Sequence, residues 1–208
     1  LYNGQPRQLH SLTLDSTKKE MLRKRLNNPH LLRTQHGEGE IYYTTLSAKL
    51  LCLAVNKLAS LDSFVIGIEM EANKPNWFDS LNGLPALFGS STCETFELKR
   101  LLKKIKQALE NSQISEIELA EEVAKFIETL ATLFSEEAFI YWDRSNHLKE
   151  EYRHNIRFGF SGNFSYIPCE KLIAFLDAAL IKVECGLNKA FNQKQGLYYS
   201  YFINEVTE

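Results

Sequence analysis

The chain has 208 residues, of which 44% are hydrophobic and 24% are charged, and its formal net charge is −2. This composition is typical of a globular protein with one sizeable core, and no apolar run is long enough to predict an association with a membrane. Because the 24 Lys and Arg residues are balanced by 26 Asp and Glu residues, we expect no nucleic-acid partner.

The first predicted helix begins at Ser16 or Thr17, because Thr17-x-x-Glu20 has the spacing of a capping box. Residues 27–29, Asn-Asn-Pro, are expected to end it. A glycine-containing loop is predicted over residues 31–45. Its candidate substrate-binding side chains are Arg33, His36, Tyr42 and Tyr43.

Five further helices are predicted from apolar residues that recur at helical spacing. They cover residues 45–61, a stretch after Ser91-x-x-Glu94, a stretch after Ser115-x-x-Glu118, residues 136–154 and residues 169–191. The aromatic tail from 197 to 206 is expected to be extended.

Strand patterns are few, so the prediction is a single all-α domain of about six helices with long loops. Helical pairs whose connecting loops converge at one end favour a toroid or a layered α/α arrangement. Periodicity alone does not distinguish either of these from a bundle.

The central loop, residues 72–91, is rich in Pro and Gly, which break helices and strands, so we expect a long ordered loop. Asp79 lies in this loop beside Trp77 and Phe78. An aspartic acid in a partly dry, aromatic loop can act as a general acid. It can equally form an Asx-turn with its own backbone, and the residues alone leave both interpretations open.

Two carboxylates precede the central loop. Glu69 and Glu71 are two residues apart, so in an extended segment they share a face, where they could bind sugar hydroxyls, supply a base or lie in solvent. Trp77 could stack on a sugar ring, although such residues more often lie in a core. These residues are expected to line one cleft together with Asp79 and part of the 33–43 loop.

The four cysteines are far apart and form no CxxC pair. Their spacing does not match a zinc site, so we expect no metal, and no motif in the chain predicts a cofactor. Scattered free thiols are typical of a reducing compartment, which predicts a cytoplasmic location.

The string KPNWFDSLNGLPALFGSSTCETFELKRL resembles the KPGWxDALNGLPGLFGSS-type signature of large bacterial proteins related to cellobiose phosphorylase. The segment LLRTQHGEGEIYYTTLSAKLL and the ending IRFGFSG through YYSYFINEV also resemble parts of these proteins. The resemblance covers most of the chain from about Asn28 onward. It implies a relationship to the glycoside phosphorylases and hydrolases that have an (α/α)6 barrel.

The resemblance implies a function in carbohydrate metabolism and roles for particular residues. Asp79 would be the catalytic acid that protonates the glycosidic oxygen, and Trp77 would be its flanking aromatic residue. Phe78 and Asn76 depart from the pattern, which has Asn at the first position and Gly or Asp at the second. The substrate would be a disaccharide or an oligosaccharide. Inorganic phosphate or water would attack the anomeric carbon with inversion.

Water as the attacking group requires a second carboxylate, for which Glu69, Glu71, Glu38 and Glu40 are candidates, whereas phosphate requires none. Because six helices make half of a twelve-helix barrel, and because the chain begins at Leu1, we expect part of a longer protein. We expect weak activity from the chain alone. Its uncovered apolar faces would be met by a homodimer or by the rest of the barrel. The alternative is a non-catalytic helical module that binds carbohydrate or protein.

Overall fold

The structure is a computed structural model, and it describes residues 14–69 and 89–203. Six α-helices form most of this part of the chain. They are α1 (Ser16–Arg23), α2 (Leu46–Leu58), α3 (Thr92–Glu110), α4 (Glu121–Thr132), α5 (Ala138–Asn155) and α6 (Cys169–Lys189). A short 3-10 turn, Gln35–Gly37, lies between α1 and α2.

Seven short strands accompany these helices and form three antiparallel sheets within the described ranges. They are β1 (Ile68–Glu69), β2 (Gly89–Ser91), β3 (Glu116–Ala120), β4 (Phe164–Pro168), β5 (Phe191–Asn192), β6 (Leu197–Tyr198) and β7 (Tyr201–Ile203). The sheets have the strand orders β1-β2-β7, β3-β4 and β5-β6. The prediction of an all-α chain that forms part of an (α/α)6 toroid is therefore wrong: the fold is mixed α and β.

The error is clearest in the segment Glu116–Ala120, where the Ser115-x-x-Glu118 spacing predicts the start of a helix. Ile117 and Leu119 are buried while Glu116 and Glu118 are exposed, so side chains alternate between two faces as they do in a strand. This segment pairs with β4, with Ile117 opposite Ile167. The helix that Ser115-x-x-Glu118 was expected to begin starts instead at Glu121.

Of the three predicted helix caps, only the one at Ser91 is confirmed, and Thr45 is a cap that was not predicted. Thr45 accepts a hydrogen bond from the Ala48 N–H at the start of α2. Ser91 accepts one from the Glu94 N–H at the start of α3. At α1 the cap is Asp15, which accepts from Lys18, so the predicted cap at Thr17 is displaced by two residues.

Three of the strands continue directly into helices, as β2 into α3, β3 into α4 and β4 into α6. Helices α3 and α6 pack together, and α2 and α4 pack against the same centre. Each large apolar side chain that is fully buried there contributes about 1.5–3 kcal/mol. These side chains include Leu51, Leu58, Leu102, Leu130, Leu172 and Leu176. Within the described ranges, no helix combines the length and apolarity needed to cross a membrane.

The turn after α2 packs tightly against α6. Val65 has a φ of 61°, a left-handed conformation that β-branched residues rarely adopt. Its carbonyl oxygen lies against Gly186, where an added Cβ would be 1.6 Å away. A glycine inside a helix normally lowers stability, so Gly186 is explained by this close approach.

We expect Gly186→Ala to destabilise the fold by about 2 kcal/mol or more, because the new methyl group must displace the Val65 backbone. Chemical denaturation measures the free energy of unfolding. Gly196→Ala is the comparison, since no atom lies within 4 Å of its Cβ position and only its φ of 67° opposes alanine. That variant should lose about 1 kcal/mol. A Gly186→Ala protein as stable as the parent would contradict the packing argument.

Helix α1 is attached to the rest of the fold by an ion pair. Arg157 donates from Nε and Nη2 to the two carboxylate oxygens of Asp15, at 2.6 and 2.8 Å. This bidentate bond, helped by the Lys18 N–H, holds the pKa of Asp15 well below its usual range. The stabilisation is therefore present above the unfolded pKa and is lost as the pH falls towards the folded pKa.

We expect the stability difference between the parent protein and Asp15→Asn to be present at neutral pH and to shrink below about pH 4. Asparagine is also a good N-cap, so this variant removes the ion pair while keeping a cap on α1. Denaturation curves measured at several pH values for both proteins test the expectation. A difference that does not change with pH would show that the ion pair is not responsible.

Candidate functional site

The segment that carries Asp79, Trp77 and Glu71 lies outside the described residues, so the proposed roles of these residues stay predictions. The structure does describe both ends of that segment. Strands β1 and β2 are antiparallel neighbours, with Glu69 opposite Ser90. The described residues on either side of 70–88 therefore lie in adjacent strands.

A buried carboxylate holds these two strands in place. Asp62 is completely buried, and its Oδ1 accepts hydrogen bonds from the N–H groups of Phe64 and Ile66, at 3.0 and 2.9 Å. Its Oδ2 accepts from the Gly67 N–H at 2.9 Å and from Ser90 Oγ at 2.5 Å. Four donors thus compensate a charge that would otherwise be costly to bury.

Glu69, a predicted substrate-binding residue, lies at the edge of this structure. Trp142 of α5 donates from its indole nitrogen to Glu69 Oε1 at 2.5 Å. The Glu69 N–H donates to the Ser60 carbonyl at 2.8 Å, and Ser60 Oγ accepts from Lys149 at 3.2 Å. Glu69 is therefore held in a defined position between the end of α2 and the side of α5.

We expect Asp62→Asn to lower the free energy of unfolding by at least about 2 kcal/mol, because an amide nitrogen cannot accept from the buried donors around it. Ser90→Ala removes only one of those donors and should cost about 1 kcal/mol. Denaturation of the two variants beside the parent gives the comparison. If Ser90→Ala costs as much as Asp62→Asn, the carboxylate is not the main support of the turn.

Two of the predicted binding residues in the 33–43 loop have structural roles. Arg33 donates to the carbonyl oxygens of Gly39 and Asn27, at 3.2 and 3.1 Å, and so closes the loop on itself. The ring of Tyr42 lies edge-on to Phe160 with centroids 4.8 Å apart, and it also stacks near Phe164. Both side chains therefore have partners that belong to the fold.

Tyr43 is 80% exposed, unlike its neighbour Tyr42. Tyr43 is also a predicted binding residue of this loop. Glu38 and Glu40, the loop's two candidate bases, are also exposed. The structure brings none of these three side chains into a described cavity.

His36 is held at an unusual backbone conformation. Gln35 and His36 have φ values of 49° and 51°, so two consecutive residues are left-handed. Their N–H groups donate to the carbonyl oxygens of Ser161 and Phe160. The two loops come so close that a Cβ on Gly159 would lie 2.3 Å from the Arg33 carbonyl oxygen. This junction fixes the backbone of His36.

The imidazole of His36 lines a cavity of about 300 Å³ between the 3-10 turn, the start of α4 and the second half of α5. A phenylalanine and a tyrosine ring form its apolar wall, from Phe126 and Tyr152. The polar lining consists mainly of His36, Glu121, Glu122, Lys125, Glu151 and Asn155. Its volume is at the lower end of the range for small-molecule sites.

The structure places Glu69 and His36 at different points along α5. Glu69 bonds to Trp142, whereas the His36 cavity reaches Glu151 and Asn155. At about 1.5 Å of rise per residue, those two residues are about 14 and 20 Å further along the helix than Trp142. The cleft expected to join Glu69 with the 33–43 loop stays a prediction, because Glu71, Trp77 and Asp79 lie outside the described residues.

Sequence reasoning missed Asp62 and Glu122 as residues of interest. Asp62 follows a buried helix in the string LDSFVIGIE, where an Asp-Ser pair is a signal for a turn, because an aspartate can accept from the N–H two residues on. Glu122 would have been noticed if residues 116–120 had been assigned to a strand. The first turn of α4 would then have begun at Glu121.

Comparisons with known proteins identify no relative: no family model matches the chain, and no curated protein matches it. In the described ranges, no group of three His, Cys, Asp or Glu side chains is arranged to hold a metal ion. A function must therefore be argued from the residues and their arrangement.

Proposed function

We propose that this chain acts on the glycosidic bonds of a disaccharide or an oligosaccharide, with Asp79 as the general acid. Asp79 would protonate the glycosidic oxygen while inorganic phosphate or water attacks the anomeric carbon with inversion. The proposal rests on the resemblance of residues 74–101 to proteins related to cellobiose phosphorylase. It does not depend on a toroidal fold.

One observation about the described residues supports the proposal most. The strands on either side of residues 70–88 are paired, Glu69 opposite Ser90, and Asp62 accepts a hydrogen bond from Ser90. A catalytic acid has to be held within a fraction of an ångström of its productive position, so its segment needs rigid supports. A fully buried carboxylate with four donors provides such a support at one end.

Glu69 is the candidate for the second carboxylate, the base that is required if water is the attacking group. Its bond to Trp142 makes it a defined acceptor at the boundary of the segment that carries the proposed acid. If water attacks, Glu69 would act as the base at about 6.5–9.5 Å from Asp79, the separation typical of inverting hydrolases. If phosphate attacks, Glu69 would bind substrate hydroxyls instead, and no protein base is required.

The cellular compartment and the partners of the proposed activity are supported by the cysteines and by the charge of the chain. All four cysteines are free thiols, which supports a reducing compartment such as the cytoplasm. The balance of charge supports a neutral sugar rather than nucleic acid as the partner. The proposal includes no cofactor. We also propose that the apolar surface around α6 is covered by a second copy of the chain in a homodimer.

A second candidate function is supported by the His36 cavity. The described residues that line this cavity come from the 3-10 turn, α4, α5 and Ser161. A module that only binds its ligand would need such a cavity and would need no ionisable acid at position 79. Turnover separates the two candidates, because the binding module should bind a sugar or a protein without cleaving anything.

We expect Asp79→Asn to lower turnover of disaccharides with poor leaving groups by about 10²–10⁴-fold, because such bonds need a proton from the acid. The assay uses a panel of disaccharides, each with and without phosphate. Asp177→Asn is the control, because Asp177 is a half-buried carboxylate of α6 that pairs with Lys106. Activity of the parent chain alone is expected to be low, so product should be followed over long incubations.

The outcomes distinguish the alternatives. Near-normal turnover by Asp79→Asn would remove Asp79 from the acid role. Equal losses in both variants would point to a general effect on folding. A parent chain that binds a disaccharide but never cleaves it would support the binding module.

A further inference from the structure

Three aromatic rings of α3 and the β5–β6 hairpin form one exposed apolar surface, here called the Tyr198 surface. The ring centroid of Tyr198 lies 4.9 Å from that of Phe96 and 4.9 Å from that of Phe191. Tyr198 is 47% exposed, Phe96 37% and Phe191 39%. Single exposed apolar side chains are ordinary, but a contiguous group of them marks a place where a ligand or a partner binds.

The β5–β6 hairpin is held in a defined position. Asn192 Oδ1 accepts from the N–H groups of Lys194 and Gln195, at 3.0 and 3.2 Å, and so closes the turn. Asn192 Nδ2 donates to the hydroxyl of Tyr199 at 2.7 Å. The Tyr199 N–H donates to the carbonyl oxygen of Ala190, at the end of α6. These bonds fix the backbone that presents the rings to solvent.

The Tyr198 surface lies beside strand β2, the described strand that follows segment 70–88. The N–H of Thr92, directly after β2, donates to the carbonyl oxygen of Ser200, two residues after Tyr198. Phe96 is four residues further along α3, which is about 6 Å at 1.5 Å of rise per residue. The surface is therefore close to the strand that supports the proposed catalytic segment.

The size of the Tyr198 surface suits a small ligand rather than a protein. A buried aromatic side chain removes about 150–250 Å² from water, so three rings that are each about two-fifths exposed offer on the order of 250 Å². A stable protein interface buries about 800 Å² on each partner. The three rings alone are therefore too small to hold a second protein.

The charged side chains of α3 next to the rings are already paired. Glu97 follows Phe96 and lies 3.4 Å from Arg100, and Lys99 lies 3.0 Å from Glu184 of α6. These pairs leave the α3 side of the surface without a net charge. A neutral ligand therefore suits this surface better than an ion does.

We propose that the Tyr198 surface binds an oligosaccharide, one of whose pyranose rings packs its C–H face against Tyr198, Phe96 and Phe191. A pyranose combines an apolar C–H face with a rim of hydroxyls, so it suits aromatic rings that are bordered by the polar turn of the hairpin. The inference rests on the proposed function, in which an oligosaccharide is the substrate. It adds a second place of contact, away from the bond that is cleaved.

Nuclear magnetic resonance of the full chain tests the inference through the aromatic signals of Tyr198, Phe96 and Phe191. The probes are cellohexaose, laminarihexaose and maltohexaose, which differ in linkage. At least one of them should shift all three sets of ring signals in a saturable way. If none of the three sugars does so, the inference is wrong, even if the chain cleaves disaccharides. Ring signals that move when the protein alone is diluted would place a second copy on the surface and would also overturn it.

A pair of tyrosine variants shows whether the rings hold the sugar. Tyr198→Ala should bind the same hexasaccharide at least about tenfold more weakly, because the central ring of the surface is lost. Tyr166→Ala is the matched control, since Tyr166 is 58% exposed on β4, and its affinity should change by no more than about threefold. An unchanged Tyr199 amide signal reports that the hairpin is intact, and equal affinity in both variants would contradict the inference.

Turnover of the same sugars is measured separately, so the inference and the proposed function can fail independently. A chain that binds a hexasaccharide at the rings and never cleaves it would support the Tyr198 surface and would argue against the glycosidic activity. Cleavage without any shift of the ring signals would have the opposite meaning. The titration of the parent chain needs no variant to fold.

Discussion

Much of this structure depends on the hydrogen bonds that the buried carboxylate of Asp62 accepts. It accepts from three backbone N–H groups of its own turn and from Ser90 on β2, so one side chain joins the end of α2 to a strand far along the chain. The same turn includes Val65 in a left-handed conformation, which costs about 1–3 kcal/mol and persists only because the surrounding contacts impose it. Gly186 leaves the space that this conformation needs. The strain of Val65, the glycine in α6 and the pairing of β1 with β2 are thus parts of one arrangement.

The parts of the fold that local chemistry decides could be predicted from the sequence. Ser91 caps its helix as expected, because an N-cap bond joins residues only three apart. Strand β3 could not be recognised in the same way, since its partner β4 lies more than forty residues later and five residues carry too short a pattern. For the candidate site the limit was different. Arg33 and Tyr42 have partners inside the fold, and Glu122 meets Ser161 only because the fold brings α4 together with a distant loop.

Two regions of interest therefore share α5 as a common wall. Trp142, near the start of this helix, fixes Glu69, whereas Tyr152, near its end, forms part of the His36 cavity. The two ends of α5 differ in the kind of interaction that they make. Near Trp142 the interactions are directed at the boundary of segment 70–88, and near Tyr152 they enclose a space. A rigid helix of eighteen residues keeps the two regions at a constant separation.

The pairing of Glu69 with Ser90 also has a meaning for how such a chain can change over time. Two chain ends that already lie side by side can be joined by segments of many lengths, because each doubling of a loop adds only about 0.6 kcal/mol of closure entropy. The framework of helices would tolerate the exchange of everything between these two strands as a single unit. Under the proposed function, replacing this one continuous stretch of sequence would alter the specificity for the sugar substrate. Asp62 and the strands beside it would continue to specify the same fold.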